Sequence, residues 1–178
     1  MVIPGEWSVH GERSIYDSEW MSLRMVDVET PSGTRFEHHV VRMPNHAAGT
    51  LVVVEGRVLL IWRHRFVTDS WGWEIPAGRI DVGESVAEAA VRECIEETGW
   101  QPGVTTPLID WHPCNGSIDL TFHVVRATDA KHVGEPTDLD EAAAVDWVPL
   151  DDIRLMLRDG EIGDGLSVVA LLAELAGV

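Results

Sequence analysis

The sequence predicts an α/β protein, a mixed β-sheet covered by helices on both faces, preceded by an antiparallel β-hairpin. Strand-length β-branched and aliphatic runs interleave with helical stretches, which argues for a sheet layered between helices. The run TLVVVEGRVLLIW, ending at Trp62, carries Glu55-Gly56 at its middle, a hairpin signal joining two buried strands. Residues 86–98 carry helix signals at both ends.

Taken in order, residues 20–28 alternate loosely, and Thr30-Pro31-Ser32-Gly33-Thr34 supplies a turn before RFEHHVVR at 35–42, so a two-stranded hairpin is expected there. Such a hairpin is marginal alone and must pack on something. Met43-Pro44-Asn45-His46 interrupts the pattern and places a boundary between an N-terminal β arm, 1–43, and a main domain, 44–178. The buried hairpin leads into Arg63-His64-Arg65-Phe66. Arginines directly after a buried strand are either edge residues in solvent or phosphate ligands at a sheet's end. The next segment, VTDSWGWEIPAG, ends in a tight turn fixed by Pro76 and Gly78, which should hold the Ala77 carbonyl near the carboxylates of the helix that follows. Trp62, Trp71 and Trp73 gather around it, as core residues or as a platform on which a base stacks.

Ser85 with Glu88 three residues on forms a capping box, and Gly99 stands where a left-handed cap ends a helix, so the helix runs from about 86 to 98. Ala87, Ala90, Val91, Cys94 and Ile95 share a broad apolar face, whereas Glu93, Glu96 and Glu97 fall within an arc of roughly 100° on the other side. Exposed like charges at this spacing destabilise a helix by about 0.2–0.5 kcal/mol per pair. A divalent cation reverses that sign, and hard oxygen ligands suit Mg2+ or Mn2+, which share their coordination with substrate phosphates. Taken alone, the three glutamates read first as a solvated acidic face.

Beyond the helix, residues 104–111 and 117–125 read as strands around the loop His112-Pro113-Cys114-Asn115-Gly116. A long acidic connection at 129–141 follows, then a last strand at 144–148. Amphipathic helices are expected at 149–158 and 166–175, the second capped by Asp164.

Gly78, Glu84, Arg92, Glu93, Glu96, Glu97 and Gly99 together form the pattern G-x5-E-x7-R-E-U-x-E-E-x-G-U, where U is apolar. This closely resembles the signature of the Nudix hydrolases, with Cys94 and Trp100 at positions usually aliphatic. The resemblance implies an α/β/α sandwich that hydrolyses a nucleoside diphosphate linked to another group. By the same resemblance, Glu93 and Glu97 bind metal, Glu96 is a further ligand or positions water, the Ala77 carbonyl completes the shell, and Arg92, paired with Glu84, orients the glutamates. A catalytic base is expected in the acidic connection, with Asp138, Asp140 and Glu141 as candidates and Glu141 first.

Arg63-His64-Arg65-Phe66 followed by Trp73-Glu74-Ile75-Pro76-Ala77-Gly78 looks like the ADP-ribose and nucleotide-sugar pyrophosphatase branch. Arg63, Arg65, Trp73 and Glu74 are therefore expected to bind substrate. The N-terminal arm also resembles that branch, where such arms exchange between protomers, so a homodimer is expected. The chain departs from the branch at Pro113-Cys114-Asn115-Gly116 and Asp119, where Pro-Gly and a later Glu are common. Two other readings stand beside it: a Nudix hydrolase of nucleoside triphosphates, and a Nudix fold that binds a nucleotide as a sensor without cleaving it. The intact glutamate trio argues against the sensor, which has no need of that repulsion.

At 178 residues the chain is long enough to bury roughly 70% of its unfolded surface. Its formal net charge of -17 repels phosphate backbones and argues against nucleic-acid binding. The same field repels a free nucleotide, so a nucleotide site must hold its own positive charge. Cys94 and Cys114 suggest neither a disulfide framework nor zinc. With no basic segment leading into an apolar run and no stretch of eighteen apolar residues, a cytoplasmic enzyme without membrane association is expected.

Overall fold

The structure, a computed structural model, describes residues 5–138 and 141–178. The chain divides into two compact units, residues 1–45 with 112–120, and residues 46–111 with 121–178.

The first unit is a three-stranded antiparallel sheet in the order β1-β2-β3, formed by Ser8–Asp17 (β1), Ser22–Glu29 (β2) and Arg35–Arg42 (β3). β2 and β3 make the expected hairpin, in register from Ser22 opposite Arg42 to Glu29 opposite Arg35. β1 is an addition to the sequence reading: it is exposed along its whole length and has no apolar stripe, so periodicity gives no signal. The segment 112–120 joins this unit when the Val41 N–H donates to the Ser117 carbonyl (2.8 Å) and the Met43 N–H to the Asp119 carboxylate (2.8 Å).

The second unit is built on a seven-stranded sheet. Ala47–Val54 (β4) and Arg57–Arg65 (β5) flank the Glu55-Gly56 turn, both of whose residues have positive φ, +49° and +74°. This is the primed geometry that matches strand twist. The two strands pair only beside the turn, at Val53–Val58 and Val54–Arg57. They then separate, β5 pairing with Ser70–Glu74 (β6) and β4 with Ala77–Arg79 (β7). The splay matters because the end of the central helix projects a side chain into it.

That helix, α1, runs from Val86 to Thr98 as the sequence predicts. The capping box is present on both sides, and Gly99 closes the helix at φ +73°. After it come Trp100–Pro102 (β8), Thr105–Trp111 (β9), Phe122–Ala127 (β10) and Ala130–His132 (β11). β8 and β11 form a separate two-stranded ladder, so part of the expected acidic loop is strand. Ala144–Pro149 (β12) completes the main sheet, whose order is β12-β5-β4-β10-β9 with β10 parallel to β4. Ile153–Asp159 (α2) and Gly165–Ala176 (α3) close the chain. α2 begins four residues later than its pattern suggests, because Pro149 still belongs to β12 and carries the chain out of the sheet.

Strand alternation divides the core into two layers. Leu51, Val53, Val58, Leu60 and Val124 pack with Ile153, Met156, Leu166 and Leu171 of α2 and α3. Ala48 and Val125 pack with Ala89 and Ala90 of α1, and Val52, Leu59 and Ala127 with Cys94. The sheet is thus sandwiched between α1 and the pair α2–α3. Leu51, Leu59, Leu60 and Ile61 are fully buried, each contributing about 1.5–3 kcal/mol by removal from water. The Thr50 hydroxyl donates to the Ala90 carbonyl at 2.7 Å, which fixes α1 on β4 without a buried unmet donor.

Candidate active site

The site forms where α1 meets the splay between β5 and β7. Glu97, in the last turn of α1, is 1% exposed. One carboxylate oxygen accepts from Arg63 of β5 at 2.9 Å and the other from the Ala77 N–H of β7 at 2.8 Å. The expected neighbour of the carboxylates was the Ala77 carbonyl, whereas it is the amide of Ala77 that reaches Glu97. The second guanidinium nitrogen of Arg63 donates to Glu141, which comes from the connection before β12, 78 residues away. One arginine therefore joins the signature helix to the expected catalytic base.

The other half of the site is organised by Arg92. It donates to both oxygens of Glu84 (2.8 and 3.0 Å), to Glu93 (2.8 Å), to Glu96 (3.0 Å) and to the Arg79 carbonyl (2.9 Å). Five donors in a planar fork suit such a hub, and lysine does not. Glu93 lies against the backbone of residue 78, where a β-carbon would come within 2.1 Å of its carboxyl carbon, so any larger residue there pushes the Glu93 carboxylate aside.

Arg65 and Glu74 pair bidentately across β5 and β6 at 3.0 and 2.6 Å. They line a cleft of about 390 Å3 with Thr68, Ser70, Trp71 and Asp164. Trp73 is not in its wall: it is half-buried, packs on the main core and stands 5.3 Å from Trp62. Trp71 is half-exposed and stacks on Trp62 at 6.0 Å and 17°, so of the three tryptophans it is the one presented to the cleft. Sequence alone does not rank them, since strand parity across a bulge-free pair is visible only once β5 and β6 are aligned. Asp164 and the Gly163–Gly165 backbone were also missed as lining residues. The Asp164 carboxylate caps α3 by accepting from the Ser167 N–H at 2.9 Å. Arg63 is 7% exposed and Arg65 ion-paired, so neither is a free edge residue in solvent. Asp138 meets the signature helix through its backbone, its N–H donating to the Glu96 carbonyl at 3.1 Å, and Asp140 lies outside the described residues.

Burial pushes the Glu97 carboxyl up to about 8, overriding the pull of Arg63 and the Ala77 N–H, with Glu141 and Glu93 adding to the rise. Burial also raises Glu93, against Arg92. At Glu141 burial acts the same way, but the Arg63 guanidinium and a hydrogen bond with the Glu97 carboxyl outweigh it and lower the group. The two carboxyls are displaced in opposite directions, so a proton shared between them resides on Glu97. Glu84, on the surface, is held down at about 2 by Arg92 and then by the Asp81 N–H.

The donor set fits a divalent cation of the magnesium type. All the candidate ligands are hard oxygens, Arg92 engages one oxygen each of Glu93 and Glu96, and Gly78 leaves room for the Glu93 carboxylate against β7. Among the described residues no three acidic, histidine or cysteine side chains stand close enough to enclose an ion.

A glutamate-lined loop, helix and loop at the open edge of an α/β/α sandwich defines a hydrolase of phosphoric anhydrides that depends on a divalent metal. The NUDIX domain family model matches residues 43–167, and the chain belongs to that family. It is 40% identical over 169 residues, 95% of this chain and 82% of the relative, to the CMP-5'-(N-acetyl-N-hydroxy-3-aminopropyl)phosphonate hydrolase of Streptomyces rubellomurinus. It is 28% identical to the ADP-ribose pyrophosphatase of Bacillus subtilis, over 90% of this chain and 88% of the relative. A solved structure described as an ADP compounds hydrolase superposes with a TM-score of 0.86 at 22% identity, covering 99% of this chain and 96% of that one. Among the described residues, no helix is long and apolar enough to cross a membrane.

Proposed function

We propose that this enzyme cleaves the anhydride of a nucleoside diphosphate linked to another group, with ADP-ribose or a nucleotide sugar as substrate and Mg2+ or Mn2+ as cofactor, releasing two phosphomonoesters. The observation that carries the reading is the junction of Glu97, Glu141 and Arg63 beside the Arg92-bound glutamates. Glu93, Glu96, Glu97 and the Ala77 carbonyl would hold the cation. When bound, it neutralises the diphosphate and acidifies the attacking water. Glu141, held ionised, would take the proton from the attacking water, since a carboxyl displaced downward stays deprotonated at neutral pH. Arg92 keeps Glu93 and Glu96 aimed at one side of the helix. Arg65 and Glu74 orient the substrate in the cleft, and Trp71, next to Trp73, stacks on its base.

The 40% identity to a hydrolase of a CMP-linked phosphonate favours a second reading, in which phosphonate replaces the distal phosphate. The test is a screen of ADP-ribose, nucleotide sugars, a CMP-linked phosphonate and nucleoside triphosphates with Mg2+ or Mn2+, reading released monoester. Turnover of ADP-ribose or a nucleotide sugar supports the first reading, and turnover of the phosphonate alone the second. Turnover of triphosphates alone overturns both.

The arm of β1–β3 is proposed to join two copies into a homodimer. Val9, Ile15 and Tyr16 of β1 and Phe36 of β3 leave apolar surface exposed, and a second copy is a natural cover for it. A monomer by sedimentation, active after removal of residues 1–43, contradicts this. Both cysteines are free, which suits a reducing cytoplasm.

A further inference from the structure

We propose that Arg63 is an internal counter-cation of the site, holding Glu97 and Glu141 together in the metal-free enzyme and competing with the divalent ion for them. This rests on the reading of Glu97 as a metal ligand.

Two carboxyl groups from elements far apart in sequence meet here, one from the last turn of α1 and one from the connection before β12. Once both are ionised their charges repel, and Glu97 has almost no water to screen it. Arg63 is the group that stands between: one terminal nitrogen reaches Glu97 at 2.9 Å and the other reaches Glu141. Its side chain is itself more than nine-tenths buried. The fit is incomplete, because the Nε–H of Arg63 is buried with no hydrogen-bond partner among the described residues. A guanidinium placed purely to brace the fold would have that donor satisfied, as buried donors almost always are. The unmet donor marks a pose selected by the two carboxylates and open to exchange. Arg65, two residues on, differs: its Nε donates to Glu74 at 3.0 Å, and it acts on Glu97 and Glu141 only through space. Arg63 is therefore the guanidinium in direct contact with both Glu97 and Glu141.

The test is calorimetric titration of Mg2+ into the nucleotide-free protein at about pH 9, where carboxylates are ionised. Arg63→Gln removes the charge and is expected to bind Mg2+ at least about tenfold more tightly than wild type, because one positive charge has left the ion's immediate surroundings. Arg63→Lys keeps the charge and is expected within about threefold of wild type. In the wild-type protein, the Arg63 Nε–H resonance, assigned by its loss in Arg63→Lys, is expected to shift on Mg2+ addition, a readout that holds even if the glutamine variant does not fold. Mg2+ affinity in Arg63→Gln equal to or weaker than wild type, or an Nε–H resonance indifferent to Mg2+, overturns the inference. Absence of Mg2+ binding to wild type overturns the metal reading itself, a different result.

Discussion

A β-carbon on residue 78 would lie 2.1 Å from the carboxyl carbon of Glu93, so the signature glycine is there to let that glutamate lie against the strand. Gly78→Ala is therefore expected to displace Glu93 rather than to unfold the protein, since Gly78 lies in a three-residue edge pairing and not in the core. Turnover should fall at least about tenfold with weaker Mg2+ binding, while far-ultraviolet circular dichroism is unchanged. Wild-type kinetics with Mg2+ would show that Glu93 has no fixed place.

Ser85 accepts from the Glu88 N–H and Glu88 from the Ser85 N–H. Ser85→Ala removes one side of this box and should cost about 1 kcal/mol of stability, read by urea denaturation. The glutamates lie in the last two turns, so kcat should be within about twofold of wild type. A large loss of kcat would mean that fraying at the start of α1 propagates to its end.

The pH dependence follows from Glu97. Its carboxyl is raised to about 8 in the folded, metal-free protein from 4.5 in the unfolded chain, so the native state binds the proton more tightly. Its contribution to stability is complete below about pH 4.5 and is lost as pH rises through 8. In chelator, the denaturation midpoint should fall as pH rises from about 4.5 to about 8 and level off above that. With saturating Mg2+ that fall should be reduced, because the cation favours the ionised form. A midpoint rising over this range would mean that Arg63 dominates over burial.

Glu97→Gln keeps the shape and removes the charge, but only its one amide oxygen can still accept, from either Arg63 or the Ala77 N–H. Turnover with Mg2+ is expected to drop at least about a hundredfold with the fold intact. Retained wild-type turnover would refute a metal role for this residue.

What the sequence made legible was local. The bounds of α1, its two caps, the Glu55-Gly56 turn and the Asp164 cap all rest on residues within four positions of one another, where spacing dictates geometry. The fold class followed, and the sandwich is as expected. β1 escaped because a wholly exposed strand shows no alternation, and β7, β8 and β11 because three residues carry too little pattern. The Arg63–Glu97 and Arg63–Glu141 contacts span 34 and 78 residues and depend on the splay of β4 from β5, for which no single segment carries a signal. The same holds for Trp71, whose place in the cleft follows from its pairing with His64 across β5 and β6.

The central claim is that Glu93, Glu96 and Glu97 grip a divalent ion against a pyrophosphate. Anomalous diffraction from crystals soaked in Mn2+ with a non-hydrolysable ADP-ribose analogue tests it most directly. The expected result is a manganese peak bounded by Glu93, Glu97 and the Ala77 carbonyl, with the diphosphate completing the coordination. Manganese elsewhere, or those glutamates turned to bulk solvent with the analogue bound at another site, would contradict it.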